Sequence, residues 1–198
     1  MDFLPIKRAI LSVTDKSGLA AFAAFLSQNG VELVSTGGTC KMLREEGLRV
    51  TEVSEVTGFP EIMGGRVKTL HPAIHGGILA DKDNPDHLAA IAGHNIAPFD
   101  LVCVNLYNFA LAAQKGLDLR AAIEDIDIGG PCMLRASAKN FHSVMVVPGP
   151  DWYPRIMESL AANGMKAALD LRRELAAATF AATSAYDGMI AEYLQKNR

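Results

Sequence analysis

Short apolar, β-branched runs alternate with helical stretches along this chain, and that alternation narrows the fold more than any single motif. Arg8-Ala9-Ile10-Leu11-Ser12-Val13 stops at Thr14-Asp15-Lys16-Ser17-Gly18, and Leu19 to Leu26 then carry a helical apolar pattern. Val31-Glu32-Leu33-Val34 repeats the arrangement, with Ser35-Thr36-Gly37-Gly38-Thr39 as the loop and Lys41 to Glu46 as a helix closed by Gly47. Val50 to Val53 begin a third strand. Further on, Pro85 to Ala92, Leu119 to Glu124, Pro131 to Lys139, Asp151 to Asn163 and an Ala-rich stretch from Ala167 onward read as helices. Leu101 to Leu106 and Val144 to Val147 are buried strands by length and β-branching. The pattern predicts an α/β domain: a mostly parallel sheet flanked by helices on both faces, with a C-terminal helical extension. In such folds ligands collect at the carboxyl ends of the strands.

At 198 residues, 49% of them apolar and 21% charged, the chain suits a single domain with a buried core. A net charge of -3 argues against a nucleic-acid binder, which needs a basic face to release counterions. Cys40, Cys103 and Cys132 are far apart and outside any CxxC spacing, so neither a disulfide framework nor a zinc site is expected. Met1-Asp2-Phe3-Leu4-Pro5 lacks a signal-peptide layout and no apolar run is long enough to span a bilayer, so the expectation is a soluble, cytoplasmic protein.

The most concentrated chemistry is Gly65-Arg66-Val67-Lys68-Thr69-Leu70-His71-Pro72, two cations, a hydroxyl and an imidazole with no acid inside the run. It reads as a loop built for an anion. Arg66 beside Lys68 disfavours the charged form of the lysine; the simpler role for Lys68 is a phosphate counter-charge. Ser35 to Thr39 offers backbone N–H groups and hydroxyls either to a phosphate or to a tight turn capped by Thr39. Thr14-Asp15-Lys16-Ser17 closes a neighbouring strand in the same way, which favours a phosphomonoester cradle. Asp127, in Asp125-Ile126-Asp127-Ile128-Gly129-Gly130-Pro131, stands at a helix entry where it either serves a developing oxyanion or caps the helix. Lys139 at a helix end is explained by the helix dipole, and Tyr107 closes an apolar strand as a core aromatic or as a ligand contact, the latter favoured by its place beside Asn105. His71 and His75 have a helical metal-ligand spacing, but Pro72 and Gly76-Gly77 speak against a helix there, so no metal site is expected.

The segments DKSG, STGGT, TGFPE, GRVKTLHP, NLY, IDIGG and AKN, in this order, resemble the IMP cyclohydrolase domain of the bifunctional purine-biosynthesis (PurH) family. The match runs from about Ile10 to the C-terminus. The resemblance implies a methylglyoxal-synthase-like fold and closure of the formamido-carboxamide imidazole ribonucleotide FAICAR to inosine monophosphate (IMP) with loss of water, without metal or cofactor. It implies a catalytic set of Lys68, Tyr107, Asp127 and Lys139. Lys139 is the proton-transfer residue of that set, Lys68 its electrostatic partner, and Asp127 with Tyr107 orients the reacting groups. It places the nucleotide among Ser12, Thr14, Asp15, Lys16, Thr36, Gly37, Gly38, Thr39, Arg66, Val67 and Thr69, with Val104, Asn105 and Ile128 around the base; His71 receives no role. A homodimer, and a separate transformylase as a further partner, are the implied associations; nucleic acid and membrane are not. Asn108 replaces the family's usual proline after the tyrosine, and Phe141 its usual histidine after Asn140. The family's transformylase domain is missing from the 198 residues, so formyl transfer is not assigned. Two rival readings are a methylglyoxal-synthase-type lyase and a catalytically silent nucleotide-binding module.

Overall fold

Ala9, Ile10 and Leu11 are consecutive and fully buried, as are Leu101, Val102 and Cys103, so the strands that carry them are covered on both faces. The computed structural model describes residues 1–106, 109 and 118–196. Its strands are β1 (Phe3–Pro5), β2 (Arg8–Ser12), β3 (Glu32–Ser35), β4 (Thr51–Glu52), β5 (Leu101–Val104), β6 (Met145–Val147) and β7 (Lys166–Ala168). The described helices are α1 (Leu19–Gln28), α2 (Gly37–Glu45), α3 (Val53–Thr57), α4 (Pro72–Leu79), α5 (Pro85–Gly93), α6 (Leu119–Ile123), α7 (Gly129–Lys139), α8 (Tyr153–Ala162) and α9 (Leu169–Lys196).

Five strands form a parallel sheet in the order β4-β3-β2-β5-β6, which is the α/β fold expected. Helices α1 and α8 pack together, with the Phe22 ring stacked on Tyr153 at 4.5 Å between centroids, while α4 and α9 both pack on α7. The strand order reverses between β2 and β5, opening a crevice beyond their carboxyl ends. A separate antiparallel pair, β1 with β7, was not foreseen. Each of its strands is only three residues long, too short for a period to register. Arg172 on α9 fixes that end of the molecule. Its guanidinium is fully buried and donates to the carbonyls of Met1 and Phe141, at 2.6 and 2.9 Å, and of His142.

The largest departure from expectation is α4, a helix where Pro72 and the Gly76-Gly77 pair had argued against one. Pro72 occupies the first helical turn, where its missing N–H has no intrahelical partner to lose, and His71 is the N-cap, its Nδ1 accepting from the Ala73 N–H at 3.1 Å. The glycines are packing residues. A Cβ on Gly77 would lie 2.7 Å from the Ala97 carbonyl oxygen, whereas one on Gly76 would meet the movable end of Ile96 at 3.2 Å. His75 lies inside the helix that His71 caps, and among the described residues no group of three or more His, Cys, Asp and Glu is placed to hold a metal ion.

Because α4 anchors the carboxyl end of the basic run, these glycines bear on the site. Ala is the better helix former by about 1 kcal/mol, but overpacking against a fixed backbone oxygen costs about 1–3 kcal/mol. Gly77→Ala is therefore expected to lower the melting temperature while Gly76→Ala leaves it unchanged or slightly raised. Denaturant titration of the pair checks this, and equal stability of Gly77→Ala and the native chain would contradict it.

Candidate functional site

A cleft of about 1090 Å³ opens at the carboxyl ends of β2, β3 and β5. Ser12, Thr14, Lys16, Thr36, Gly37, Gly38, Thr39 and Asn105 line it at the strand ends, and Arg66, Lys68, Thr69, Asp127 and Ile128 line it as well. Asp15, Val67, Val104 and Lys139 do not line it. Asp15 is exposed with its carboxylate turned back to the Ser17 N–H at 2.9 Å, and Val104 is buried in the sheet. Val67 forms an isolated bridge with Ile62. Tyr107 and Asn108 lie outside the described residues.

Part of the strand-end lining is a helix N-terminus. The loop read between Ser35 and Thr39 is shorter than expected, because α2 already starts at Gly37, with Thr36 extended at the N-cap. Thr39 is not the cap: its hydroxyl bonds the Val13 N–H and carbonyl at 3.1 and 3.0 Å, tying α2 to the end of β2. The Thr36 hydroxyl pairs with Ser12 at 2.9 Å rather than with its own helix. The opening N–H groups of α2 lack intrahelical partners and, with the helix dipole, form an anion seat. Asn105 lines the cleft, and its amide also holds the loop after β2. Its Oδ1 accepts from the Thr14 and Asp15 N–H groups at 2.8 and 3.0 Å, and its Nδ2 donates to the Asp15 carbonyl at 2.8 Å. That side chain bridges the two strands at which the sheet order reverses.

The basic run is not left unneutralised. Lys68 pairs with Glu61 at 2.7 Å, and Arg66 with Glu124 at the end of α6. The expected crowding of the two cations is thus replaced by two separate pairs. The Lys68 ammonium sits 3.1 Å from where a Gly37 Cβ would stand, and the Glu61 carboxylate 2.8 Å from the same point on Gly65. Both glycines have positive φ, +44° and +95°, so any side chain would be strained there as well as obstructive. Lys68 therefore stands at the phosphate-type seat, while Arg66 faces the α6 rim.

Asp127 explains the paired glycines behind it. A Cβ on Gly130 would fall 2.2 Å from an Asp127 carboxylate oxygen, and one on Gly129 would fall 2.7 Å from the Thr69 hydroxyl. The carboxylate accepts from the Gly130 N–H at 2.9 Å, and the Asp127 N–H donates to the Tyr186 hydroxyl at 2.8 Å. Burial raises the Asp127 pKa above its ordinary value, opposed by the Gly130 and Gly129 N–H groups that favour the ionised form. Capping and a reactive carboxyl are therefore compatible here. Lys139, exposed at the far end of the 11-residue α7, lies roughly 15 Å beyond Gly129 by helical rise. It does not join the other candidates within one chain. Glu61, Glu124 and Tyr186 carry no local signal of a site role; only Glu61, inside the TGFPE segment, sat in a motif already singled out.

Comparison with known proteins matches a family described as "MGS-like domain" over residues 18–132, more than half of the chain. The chain belongs to the MGS-like domain family. A second family, "AICARFT/IMPCHase bienzyme", matches residues 137–198. The MGS-like chain is 52% identical to the bifunctional purine biosynthesis protein PurH of Rhodospirillum rubrum over 97% of its own residues. It is also 52% identical to PurH of Bradyrhizobium diazoefficiens over 96%. It spans 36% of the length of each of these relatives. A crystal structure of ForH superposes with a TM-score of 0.88 at 36% identity, covering 96% of this chain and 98% of that one.

The raised Asp127 pKa has a stability consequence. The folded chain holds this proton more tightly than the unfolded chain, whose carboxyl titrates near 3.8. Its contribution is therefore complete below pH 3.8 and is lost as pH rises through the folded midpoint. Asp127→Asn keeps the oxygen that accepts from Gly130 and removes the buried charge. Thermal melts are expected to show the variant more stable than the native chain at pH 7, with the gap narrowing on acidification; a destabilised variant at pH 7 would contradict this.

Proposed function

We propose that this MGS-like domain closes FAICAR to IMP with loss of water, as the cyclohydrolase half of purine biosynthesis. The observation that carries the reading is one cleft holding an α2 N-terminal anion seat, the Lys68 ammonium against Gly37, and the half-buried Asp127 carboxyl. The 52% identity to PurH proteins and the AICARFT/IMPCHase match over residues 137–198 support it over the lyase and silent-module readings.

In this reading the ribonucleotide phosphate rests on the Gly37 and Gly38 N–H groups, aided by Ser12, Thr36 and Lys16. The imidazole then extends toward Ile128 and Asp127. The carboxamide nitrogen attacks the formyl carbon, a C–N bond forms, and the formyl oxygen gathers charge before leaving as water. That step needs a group to take a proton from nitrogen, a cation or dipole near the oxyanion, and a proton for departing hydroxide. Asp127, with a proton affinity raised by burial, exchanges protons; Lys68 and the N-terminus of α7 stabilise the negative charge. Tyr107 orients the reacting groups. Lys139 keeps its proton-transfer role only if its ammonium comes from a second copy, which is how the proposed homodimer would complete the cleft. No described helix is long and apolar enough to cross a membrane, and the cytoplasm is the proposed compartment. A transformylase is the proposed functional partner.

Purified protein is expected to convert FAICAR to IMP, followed by ultraviolet absorbance, and to leave dihydroxyacetone phosphate unconsumed. Lys68→Ala is expected to retain its fold and lose about 100-fold or more in kcat/KM, the scale of removing one charge-stabilising group. Near-native turnover by that variant would overturn the role given to Lys68. IMP at a hundred times its dissociation constant should stabilise the fold by about 2.7 kcal/mol, and an unmoved melting temperature at saturation would contradict nucleotide binding.

A further inference from the structure

The helix α9 reads from sequence as an extension to the domain, yet one of its side chains bonds the backbone of a residue that lines the cleft. Tyr186 is 2% exposed and its hydroxyl accepts the Asp127 N–H at 2.8 Å, from 59 residues further along the chain. Asp127 belongs to a loop, outside any helix or strand, so its backbone position is not fixed by a ladder of its own. Beneath the hydroxyl, Tyr186 and Phe109 form a small apolar cluster apart from the main core, packed by Leu106, Ile126, Ile190 and Tyr193. Phe109 meets Tyr193 edge-on at 5.2 Å between centroids. The ring is thus held by its flanks, and its polar end has one direction to point.

We propose that Tyr186 is a positioning residue for the cleft: by receiving the Asp127 N–H it fixes where that carboxyl stands over Gly130, making α9 part of the functional site. The inference rests on the reading that Asp127 touches the ring-closing atoms. Its logic is geometric. The Asp127 carboxylate already fills the space of an absent Gly130 side chain, so a small shift of its backbone moves it off the Gly130 and Gly129 N–H groups. Charged groups facing the pair are Asp125 on the same loop and Asp187 on α9, with Arg66 and Lys68 across the cleft.

Tyr186→Phe removes the hydroxyl and keeps the ring, and Tyr186→Leu removes both. Three measurements are made on each full-length variant: FAICAR kinetics across pH, thermal melting, and the 13C titration of the Asp127 carboxyl. For Tyr186→Phe the expected result is a kcat about tenfold lower, the scale of one hydrogen bond, with KM within about twofold. The Asp127 titration moves upward as its N–H partners loosen, and the melting temperature stays close to native. Tyr186→Leu is expected to lose stability as well. Native kcat and an unmoved Asp127 titration in Tyr186→Phe would overturn the proposal. If the native chain itself turns over no FAICAR, the cyclohydrolase reading fails by that result alone. The carboxyl titration then decides the positioning role: a shift supports it and an unmoved curve overturns it.

Discussion

The cleft depends on the backbone at the start of α7 approaching two polar side chains with nothing between them. Gly129 lies under the Thr69 hydroxyl and Gly130 under the Asp127 carboxylate, each at a distance no Cβ tolerates. Neither glycine has a positive φ, so conformational freedom is not what selects them; contact is. Their absence of side chains lets the N-terminus of α7 close against the basic run from Arg66 to Thr69. It thereby brings a second helix dipole to the anion seat made by α2. Asn105 does the corresponding work from below, holding the β2 and β5 loops together at the reversal of strand order.

Charge in the cleft is balanced by ion pairs that exchange readily. The Lys68–Glu61 and Arg66–Glu124 pairs are partly or largely exposed, where such contacts are worth about 0–1 kcal/mol. In the proposed reading a phosphate monoester, carrying more charge and seated on N–H groups as well, competes for the same ammonium. The arrangement keeps both cations ordered near the mouth without committing them. The Asp127 carboxyl contrasts with this, since burial is the largest influence on its proton affinity.

Much of the fold was legible because its strands are buried on both faces and so read as continuous apolar runs, Ala9 to Leu11 and Leu101 to Val104 among them. Helix α4 was not, because Pro72 and Gly76-Gly77 were weighed as helix breakers. Their merits are positional: Pro72 at the first turn, Gly77 against the Ala97 carbonyl. The anion seat was visible in Ser35 to Thr39 and Asp127 in its glycine-rich setting. Pairings made across the fold were invisible: Glu61 on Lys68, Glu124 on Arg66, Tyr186 on Asp127, and the amide of Asn105 turned to a loop. Lys139 shows the limit of motif reasoning, since a helix of known length carries it away from the cleft that its motif implies.

In the proposed reading one nucleotide spans the two helix N-termini. Titrating 15N-labelled protein with IMP tests it directly through the backbone amides. Gly37, Gly38, Gly129 and Gly130 are expected to shift together and saturate on a single binding curve. Saturable IMP binding that leaves those four amides unmoved would contradict it.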